Sequence, residues 1–256
     1  MDLELTDRRF LVGGGSRGLG AAVARALAGE GARVVAASRH PDAGDETGGP
    51  GPGTSTVAAD LSHPEGASLA VQAAVSALGG LDGLVVNSGG PPGGTFATVN
   101  ETTWEQAIAG TLFGTIRLIR EALPYLEQGR DPAIVIILSS SVREPIPALI
   151  TSNVLRPGLA GLIKSLVTEI APIRINGVAP GRFDTARIRT LDGARAADSG
   201  ASIEEIQAQT RARIPLGRYG DPDELGRVVA FLLSPAASYL DGVIVPVDGG
   251  MIRSLP

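Results

Sequence analysis

The segment that most constrains the fold lies close to the start of the chain. Residues 13–20 read GGGSRGLG, between the apolar run RFLV at 9–12 and an alanine-rich stretch. Gly14, Gly18 and Gly20 form the spacing G-x3-G-x-G between a predicted strand and a predicted helix. Such glycines let backbone N–H groups and the positive end of a helix dipole approach a diphosphate. The segment therefore predicts a dinucleotide site, although a plain strand-to-helix turn has the same pattern. The other residues of the turn expected to contact the ligand are Ser16, Arg17 and Leu19.

The rest of the chain alternates short β-rich runs with longer helical stretches, which is typical of a parallel sheet covered on both faces. Most of the predicted strands are apolar at consecutive residues, as expected for strands buried on both sides. The predicted strands are 9–13, 33–38, 55–59, 83–87, 133–138, 173–179 and 243–247. The predicted helices are 18–30, 64–78, 104–125, 152–170 and 221–233. The pattern predicts a doubly wound α/β fold of the Rossmann type, with a seven-stranded parallel sheet.

Three segments interrupt this alternation. Residues 40–54 are rich in glycine and proline and are expected to form a mobile surface loop. Residues 143–151 carry two prolines and are expected to be a stiff connection. Residues 182–214 form a long polar insertion with helical pieces such as 203–211, and at the carboxyl end of a parallel sheet such an insertion is typical of a lid. No repeat or change in composition divides the chain, so one domain over 1–256 is expected.

Composition excludes several classes of function. The net charge of −5 argues against a protein that coats nucleic acid, and no apolar run approaches the length of a membrane span. The absence of cysteine excludes disulfides and thiolate ligands, and two histidines make a metal site improbable. The first residues lack the apolar core of a signal peptide, so we expect a cytoplasmic protein.

The end of the second strand distinguishes between two forms of the cofactor. NAD-binding proteins generally place a carboxylate about 20 residues beyond the glycine turn, where it bonds the ribose 2′-hydroxyl. Here Ser38 is followed by Arg39, and the first acid is Asp42. Arg39, helped by Arg17, could instead hold a 2′-phosphate through charge-assisted bonds. The pattern favours NADP(H) over NAD(H), the alternative being two solvated surface arginines.

Motifs along nearly the whole chain resemble those of the short-chain dehydrogenase/reductase family. The glycine turn is similar to that family's T-G-x3-G-x-G, with Gly13 in place of threonine. Residues 82–89, DGLVVNSG, resemble its N-N-A-G strand end, and residues 173–181, IRINGVAPG, resemble its R-V-N-x-V-x-P-G segment. The tail from 215 to 250 is similar to the family's last helix and strand. The resemblance implies an NAD(P)H-dependent oxidoreductase that assembles as a homotetramer or homodimer.

The resemblance also implies which further residues contact the cofactor. Thr185 takes the position that contacts the nicotinamide carboxamide, and Asp60 follows the third strand where an adenine contact is expected. The remaining residues implied as cofactor contacts are Leu61, Asn87, Ser88, Gly89, Pro180 and Gly181.

The catalytic group of the family is largely replaced in this chain. Family members use asparagine, serine, tyrosine and lysine, with tyrosine as the acid and lysine lowering its pKa. Ser139 matches the serine, and the family's spacing then places the tyrosine position at Ser152 and the lysine position at Arg156. The asparagine position falls on Thr111, within the predicted helix 104–125. Only Ser139 is retained.

These replacements have chemical consequences. A serine hydroxyl is a far weaker acid than a phenol, and arginine keeps a fixed charge without readily passing a proton. Pro157 leaves open a helix that begins there, which would place Ser152 and Arg156 on the preceding loop.

Trp104 and Phe113 occupy apolar positions of their predicted helix and are expected in the core or an interface.

Three functions remain open from the sequence. The first is an NADP(H)-dependent oxidoreductase with an atypical site that acts on a small carbonyl, imine or alcohol, where water or the substrate supplies the proton. A cationic acceptor such as an iminium would suit a site without a strong acid. The second is a non-redox lyase, isomerase or cyclase on the same scaffold, and the third is a non-catalytic NADP-binding protein.

Overall fold

The computed structural model describes residues 2–41 and 48–254. The strands are β1 (Arg9–Gly13), β2 (Arg33–Ser38), β3 (Thr54–Ala58), β4 (Gly83–Val86), β5 (Ala133–Ile137), β6 (Arg174–Pro180) and β7 (Ile244–Val247). Within the described ranges they form one seven-stranded sheet in the order β3-β2-β1-β4-β5-β6-β7, and every neighbouring pair is parallel. The predicted doubly wound sheet is confirmed.

Eight α-helices are described in the same ranges. They are α1 (Gly18–Gly29), α2 (Pro64–Leu78), α3 (Glu101–Ala107), α4 (Gly114–Leu126), α5 (Ile150–Glu169), α6 (Ala186–Ser199), α7 (Ile203–Arg213) and α8 (Pro222–Leu233). A π-helical segment, Ile108–Phe113, joins α3 to α4, and a short 3-10 turn, Ser140–Val142, follows β5.

Apolar residues on both faces of the sheet explain its burial. On one face, α2, α4 and α5 pack their apolar sides against the strands, and on the other α1 and α8 do so. The helices α1 and α8 approach closely because Gly226 has no side chain, and a Cβ there would lie 2.6 Å from the carbonyl oxygen of Ala22. Every residue of β4, β5 and β6 is buried, as their consecutive apolar residues predict.

Several predicted boundaries differ from the structure. The predicted helix 104–125 begins earlier, at Glu101, and contains the π-helical segment instead of one uninterrupted helix. Helix α5 begins at Ile150, inside the predicted connection 143–151, so the alternative helix start at Pro157 is wrong. Proline is tolerated at this interior position, and the helix continues to Glu169.

The predicted lid and the predicted loop also differ from the structure. The predicted lid 182–214 is mostly helical, since α6 and α7 occupy it. Of the predicted loop 40–54, residues 42–47 lie outside the described residues, and β3 already begins at Thr54. In the part of the chain that the structure describes, no helix is both long and apolar enough to cross a bilayer.

Phe113 and Trp104 do not lie in the core. Phe113 is 46% exposed, with the Arg117 guanidinium 5.1 Å from its ring centroid, and Trp104 is half-buried. The expectation that they lie in an interface stays a prediction.

A buried carboxylate joins three elements at the edge of the sheet opposite the glycine turn. Asp82 accepts hydrogen bonds from the Arg9 side chain at 2.7 and 2.9 Å, and from the backbone N–H groups of Arg9 and Arg130 at 3.0 and 2.8 Å. Burial raises the pKa of Asp82, but the Arg9 and backbone hydrogen bonds outweigh burial and hold this pKa below its usual value. The ionised carboxylate therefore stabilises the start of β1 and β4.

The substitution Asp82→Asn tests this contribution. At pH 7 we expect the free energy of unfolding to fall by about 1.5–3 kcal/mol, because hydrogen bonds to a charged group are lost. Because folding lowers the pKa of Asp82, its carboxylate stabilises the protein fully at pH values above the unfolded-state pKa, near 3.8. This stabilisation is lost as the pH falls through the lower folded-state pKa. Urea titrations from pH 7 down to pH 3 should show the two proteins converging. The substitution Asp198→Asn, at an exposed position, serves as the control. If the difference in unfolding free energy between wild type and Asp82→Asn stayed the same at low pH, the stabilising role of the ionised Asp82 would be contradicted.

Candidate functional site

The glycine turn is packed directly against the end of β4. Gly14 and Gly18 have φ of 61° and 56°, in the left-handed region that favours glycine. A Cβ on Gly14 would overlap the carbonyl oxygen of Asn87, and a Cβ on Gly20 would overlap that of Gly14. Asn87 Nδ2 donates to the Gly14 carbonyl oxygen at 3.1 Å. The turn and the Asn87 strand end therefore form one rigid unit.

The start of α1 leaves its backbone donors free. The residue before the helix, Arg17, is exposed and makes no side-chain capping bond. Beside Gly18, the nearest atom among the described residues to an added Cβ is a methyl group of Thr185, at 3.8 Å. Open space in front of an uncapped helix N-terminus, where the helix dipole is positive, fits a diphosphate. Ser16 is buried in the same turn and Leu19 is half-buried.

Two buried hydroxyl groups flank this space. Ser38 ends β2 and Ser88 follows β4 by two residues, and the Oγ of each is buried without a hydrogen-bond partner among the described residues. Buried polar groups are nearly always paired, so unpaired hydroxyls beside an open turn indicate a polar ligand. The residues present fit a dinucleotide.

The positions expected to meet the adenosine lie at the ends of β2 and β3. Arg39 is exposed, and its positive charge acts on Asp60. Burial raises the pKa of Asp60, but hydrogen bonds from the hydroxyl and backbone N–H of Ser62, at 2.7 and 3.0 Å, lower it overall. Leu61 is half-buried beside it. Arg39 and Arg17 are both exposed to solvent, where an anion could reach them.

The positions expected near the nicotinamide come from three further loops. Pro180 ends β6, and the Gly181 N–H bonds the Val247 carbonyl at 2.9 Å. Thr185 is buried and caps the start of α6, since its Oγ1 accepts the Ile188 N–H at 3.4 Å. Gly89 is exposed after β4. These positions lie at the carboxyl ends of the strands, on the same edge as the glycine turn.

Three serines connect the end of β5 to α5. Ser139 Oγ accepts the Ser141 N–H at 3.1 Å, and Ser141 Oγ lies 3.1 Å from Ser152 Oγ. Ser152 is buried near the start of α5, so it does lie on a helix. Ser141 was missed from the sequence, because residues 139–141 are all serine and spacing does not show which of them faces α5.

The other two catalytic positions have different surroundings. Thr111 is buried in the π-helical segment, which packs against α5. Its carbonyl accepts the Thr115 hydroxyl at 2.7 Å. A threonine here offers one hydroxyl where the family has an amide.

Arg156 is a buried cation that holds two strand ends. Its side chain is on the same helix as Ser152 and only 5% exposed. Nη1 donates to the carbonyl of Ile137, Nη2 donates to the carbonyl of Ser88 at 3.4 Å, and Nε has no partner among the described residues. Burial, and then the charge of Arg187, lower the pKa of Arg156 to about 10. The guanidinium therefore stays charged at neutral pH.

A glycine turn on an open helix start, with hydroxyl groups at the end of β5 and on α5, defines the scaffold of a dinucleotide-dependent oxidoreductase. A family model described as enoyl-(acyl carrier protein) reductase matches residues 14–252. The chain belongs to the short-chain dehydrogenase/reductase family, whose members use NAD(P)H. The prediction of the family is confirmed.

Individual relatives are similar to this chain along nearly its whole length. A 3-oxoacyl-[acyl-carrier-protein] reductase of Aquifex aeolicus is 31% identical over 98% of this chain and 100% of its own. The L-sorbose reductase of Gluconobacter frateurii, solved with NADPH and L-sorbose, superposes with a TM-score of 0.89 at 26% identity, covering all of both chains. An NADPH-bound short-chain oxidoreductase of Pseudomonas aeruginosa, described as containing an atypical catalytic center, has a TM-score of 0.83 at 29% identity, covering 98% and 99%.

Two alanine substitutions separate close packing from backbone conformation in the glycine turn. Gly14→Ala should lower the free energy of unfolding by more than about 2 kcal/mol, because the new Cβ overlaps backbone atoms. Gly18→Ala should lower it by about 1–2 kcal/mol, because only the left-handed conformation is disfavoured. Thermal and urea unfolding of the cofactor-free proteins measure both. Equal losses would contradict the close approach of Gly14 to Asn87.

Proposed function

We propose that the protein is an NADP(H)-dependent oxidoreductase that interconverts a small carbonyl or imine and the corresponding alcohol or amine without a Tyr–Lys pair. The observation that carries this proposal is the intact dinucleotide cradle, formed by the Gly14–Asn87 contact, the open start of α1 and the unpaired Ser38 and Ser88 hydroxyls. Residues 1–256 would act as one dinucleotide-binding domain, with 182–214 as its lid.

The preference for NADP(H) rests on charge at the adenosine end. Arg17 and Arg39 are both exposed near the turn, and the first residue after β2 is an arginine instead of a carboxylate. A 2′-phosphate gains charge-assisted bonds from two guanidiniums, whereas a 2′-hydroxyl gains little. The NADPH-bound structures of two relatives support this assignment.

The chemistry of the site follows from its fixed donors. When bound, the cofactor supplies a hydride to the substrate carbon. The Ser139 and Ser152 hydroxyls would hold the substrate oxygen, which takes the electron pair of the broken C=O π bond. The positive charge of Arg156 favours that developing negative charge. Because neither a serine nor an arginine readily gives up a proton at neutral pH, water would supply the proton to the oxygen.

A second candidate is a non-catalytic NADP-binding protein, or a non-redox enzyme on the same scaffold. The observation that favours it is the direction of Arg156, whose two Nη atoms bond the carbonyls of Ile137 and Ser88. A panel of ketones, imines and 2-oxo acids, followed by NADPH absorbance at 340 nm, discriminates these functions. Cofactor binding with no oxidation across the panel would favour the second candidate.

The substitution Arg39→Ser tests the choice of cofactor. We expect the wild type to bind NADPH at least tenfold more tightly than NADH, and Arg39→Ser to remove most of that difference by weakening NADPH alone. Isothermal titration calorimetry at low salt measures both affinities. Arg120→Ser, on the exposed side of α4, is the control for net charge. Equal weakening of NADPH and NADH would contradict a 2′-phosphate contact.

The pH dependence of turnover tests the proton donor. With a substrate from the panel, we expect kcat to stay constant between pH 6 and 8.5. The serines do not ionise there, and Arg156 keeps its charge because its pKa is about 10. Ser152→Ala should lower kcat by roughly tenfold or more, since one oriented donor is lost. A bell-shaped profile in wild type would indicate a titrating acid that this site lacks.

A further inference from the structure

A second guanidinium, that of Arg187, bonds the loop after β4 that Arg156 also bonds, through Pro91 and Ser88 respectively, and the family's catalytic group does not account for it. Arg187 is the second residue of α6, and its Nη2 donates to the Pro91 carbonyl at 2.7 Å. The guanidinium packs on Gly90 so closely that a Cβ on Gly90 would overlap Arg187 Cζ and Nε. Although Arg187 is exposed as a residue, this contact removes water from the guanidinium and lowers the pKa of Arg187 below its usual value.

The electrostatic surroundings of Arg187 are unfavourable for a cation. It lies in the first turn of α6, where the helix dipole is positive, and that turn contains no acidic residue. Arg187 is near enough to Arg156 for its charge to lower the pKa of Arg156. Among the described residues, no carboxylate forms an ion pair with either guanidinium. The nearby acid Asp192 is engaged elsewhere, accepting the Tyr219 hydroxyl at 2.6 Å.

The position of this cation is next to the substrate side of the site. Pro91, which Arg187 contacts, precedes Pro92, whose carbonyl accepts the Thr151 hydroxyl at 3.0 Å. Thr151 immediately precedes Ser152 on α5. The start of α1, where a diphosphate would lie, has its own free N–H groups. Arg187 is therefore linked to the start of α5 through two adjacent prolines, one bonded to Arg187 and the next to the residue that precedes Ser152.

We propose that Arg187 is a specificity-determining residue that binds a carboxylate of the substrate, so that the protein acts on oxo acids in preference to neutral or cationic acceptors. An anion between Arg187 and Arg156 would relieve the repulsion of the two guanidiniums, and a planar guanidinium can hold both oxygens of a carboxylate. A cationic iminium would instead be repelled. The inference rests on the proposed oxidoreductase function and names its substrate class.

Binding in the presence of NADP⁺ tests the inference without turnover, because an oxidised cofactor cannot reduce an oxo group. The probes are pyruvate, acetoacetate and levulinate, in which the carboxylate lies progressively further from the carbonyl, each paired with its methyl ester. We expect at least one acid to bind at least tenfold more tightly than its ester by isothermal titration calorimetry.

The variants Arg187→Leu and Gly90→Ala should both abolish that preference. Arg187→Leu removes the guanidinium, and Gly90→Ala displaces it while retaining its charge, at a glycine whose φ is not in the left-handed region. Arg211→Leu, an exposed arginine of α7 in the same lid, is the matched control and should keep the preference. In turnover assays, loss of Arg187 should raise KM for the acid much more than for the ester.

The outcomes separate this inference from the proposed function. Equal affinity for acid and ester in the wild type, or a preference that persists in Arg187→Leu, overturns the inference. A tenfold loss of NADPH affinity in Arg187→Leu, without any change in the acid preference, also overturns it and assigns the arginine to the cofactor diphosphate. Failure of the wild type to bind NADPH overturns the proposed function alone, since acids and esters can still be compared on the protein without cofactor.

Discussion

The contact between Gly14 and Asn87 is the constraint on which the site depends. It requires a turn without side chains on one side and an amide donor on the other, and it joins the first and fourth strands at their carboxyl ends. Because the turn cannot move away from Asn87, α1 begins at a fixed place, with its free N–H groups directed to one opening. The unpaired hydroxyls of Ser38 and Ser88 flank the same opening. The proposed dinucleotide site is thus formed by backbone packing.

The proposed catalytic residues are held in place by side-chain contacts instead of backbone packing. The carboxyl ends of β4 and β5 are held by a buried guanidinium, Arg156, instead of by a flexible ammonium group. Charge is therefore fixed in place, while Ser139, Ser141 and Ser152 supply hydroxyl groups that can orient an oxygen without ionising. Such a site suits stabilisation of an anion more than transfer of a proton. The positive charge of Arg187 adds to this stabilisation of an anion.

The fold was predictable because its determinants are local. Consecutive apolar residues indicated strands buried on both faces, and the glycine spacing between a strand and a helix indicated the first turn. The positions of Ser139, Ser152 and Arg156 followed from the resemblance to the family and its motif spacing, and the structure places Ser139 after β5 and the other two on α5. Their roles, and those of the cofactor contacts, remain predictions.

What the sequence did not show depends on contacts between distant residues. The bond from Arg187 to Pro91 spans 96 positions, and no local pattern indicates that α6 would place its second residue on Gly90. The link from Ser141 to Ser152 depends on which of three identical residues turns toward α5. In the predicted lid the helix at 203–211 was expected, whereas α6 was not, because its many polar residues leave little apolar periodicity to reveal it.

The π-helical segment Ile108–Phe113 changes the direction of the side chains along this part of the chain. A π-turn contains one residue more than an α-turn, so the side chains on either side of it are shifted by about 100° from their places in an uninterrupted helix. Trp104 lies before this segment and Phe113 at its end, so one helical periodicity does not relate their side-chain directions. Loss of one residue here would convert the segment to an ordinary α-turn. Because this segment packs against α5, we expect the loss of one residue here to turn the side chains that face α5 while leaving the sheet in place.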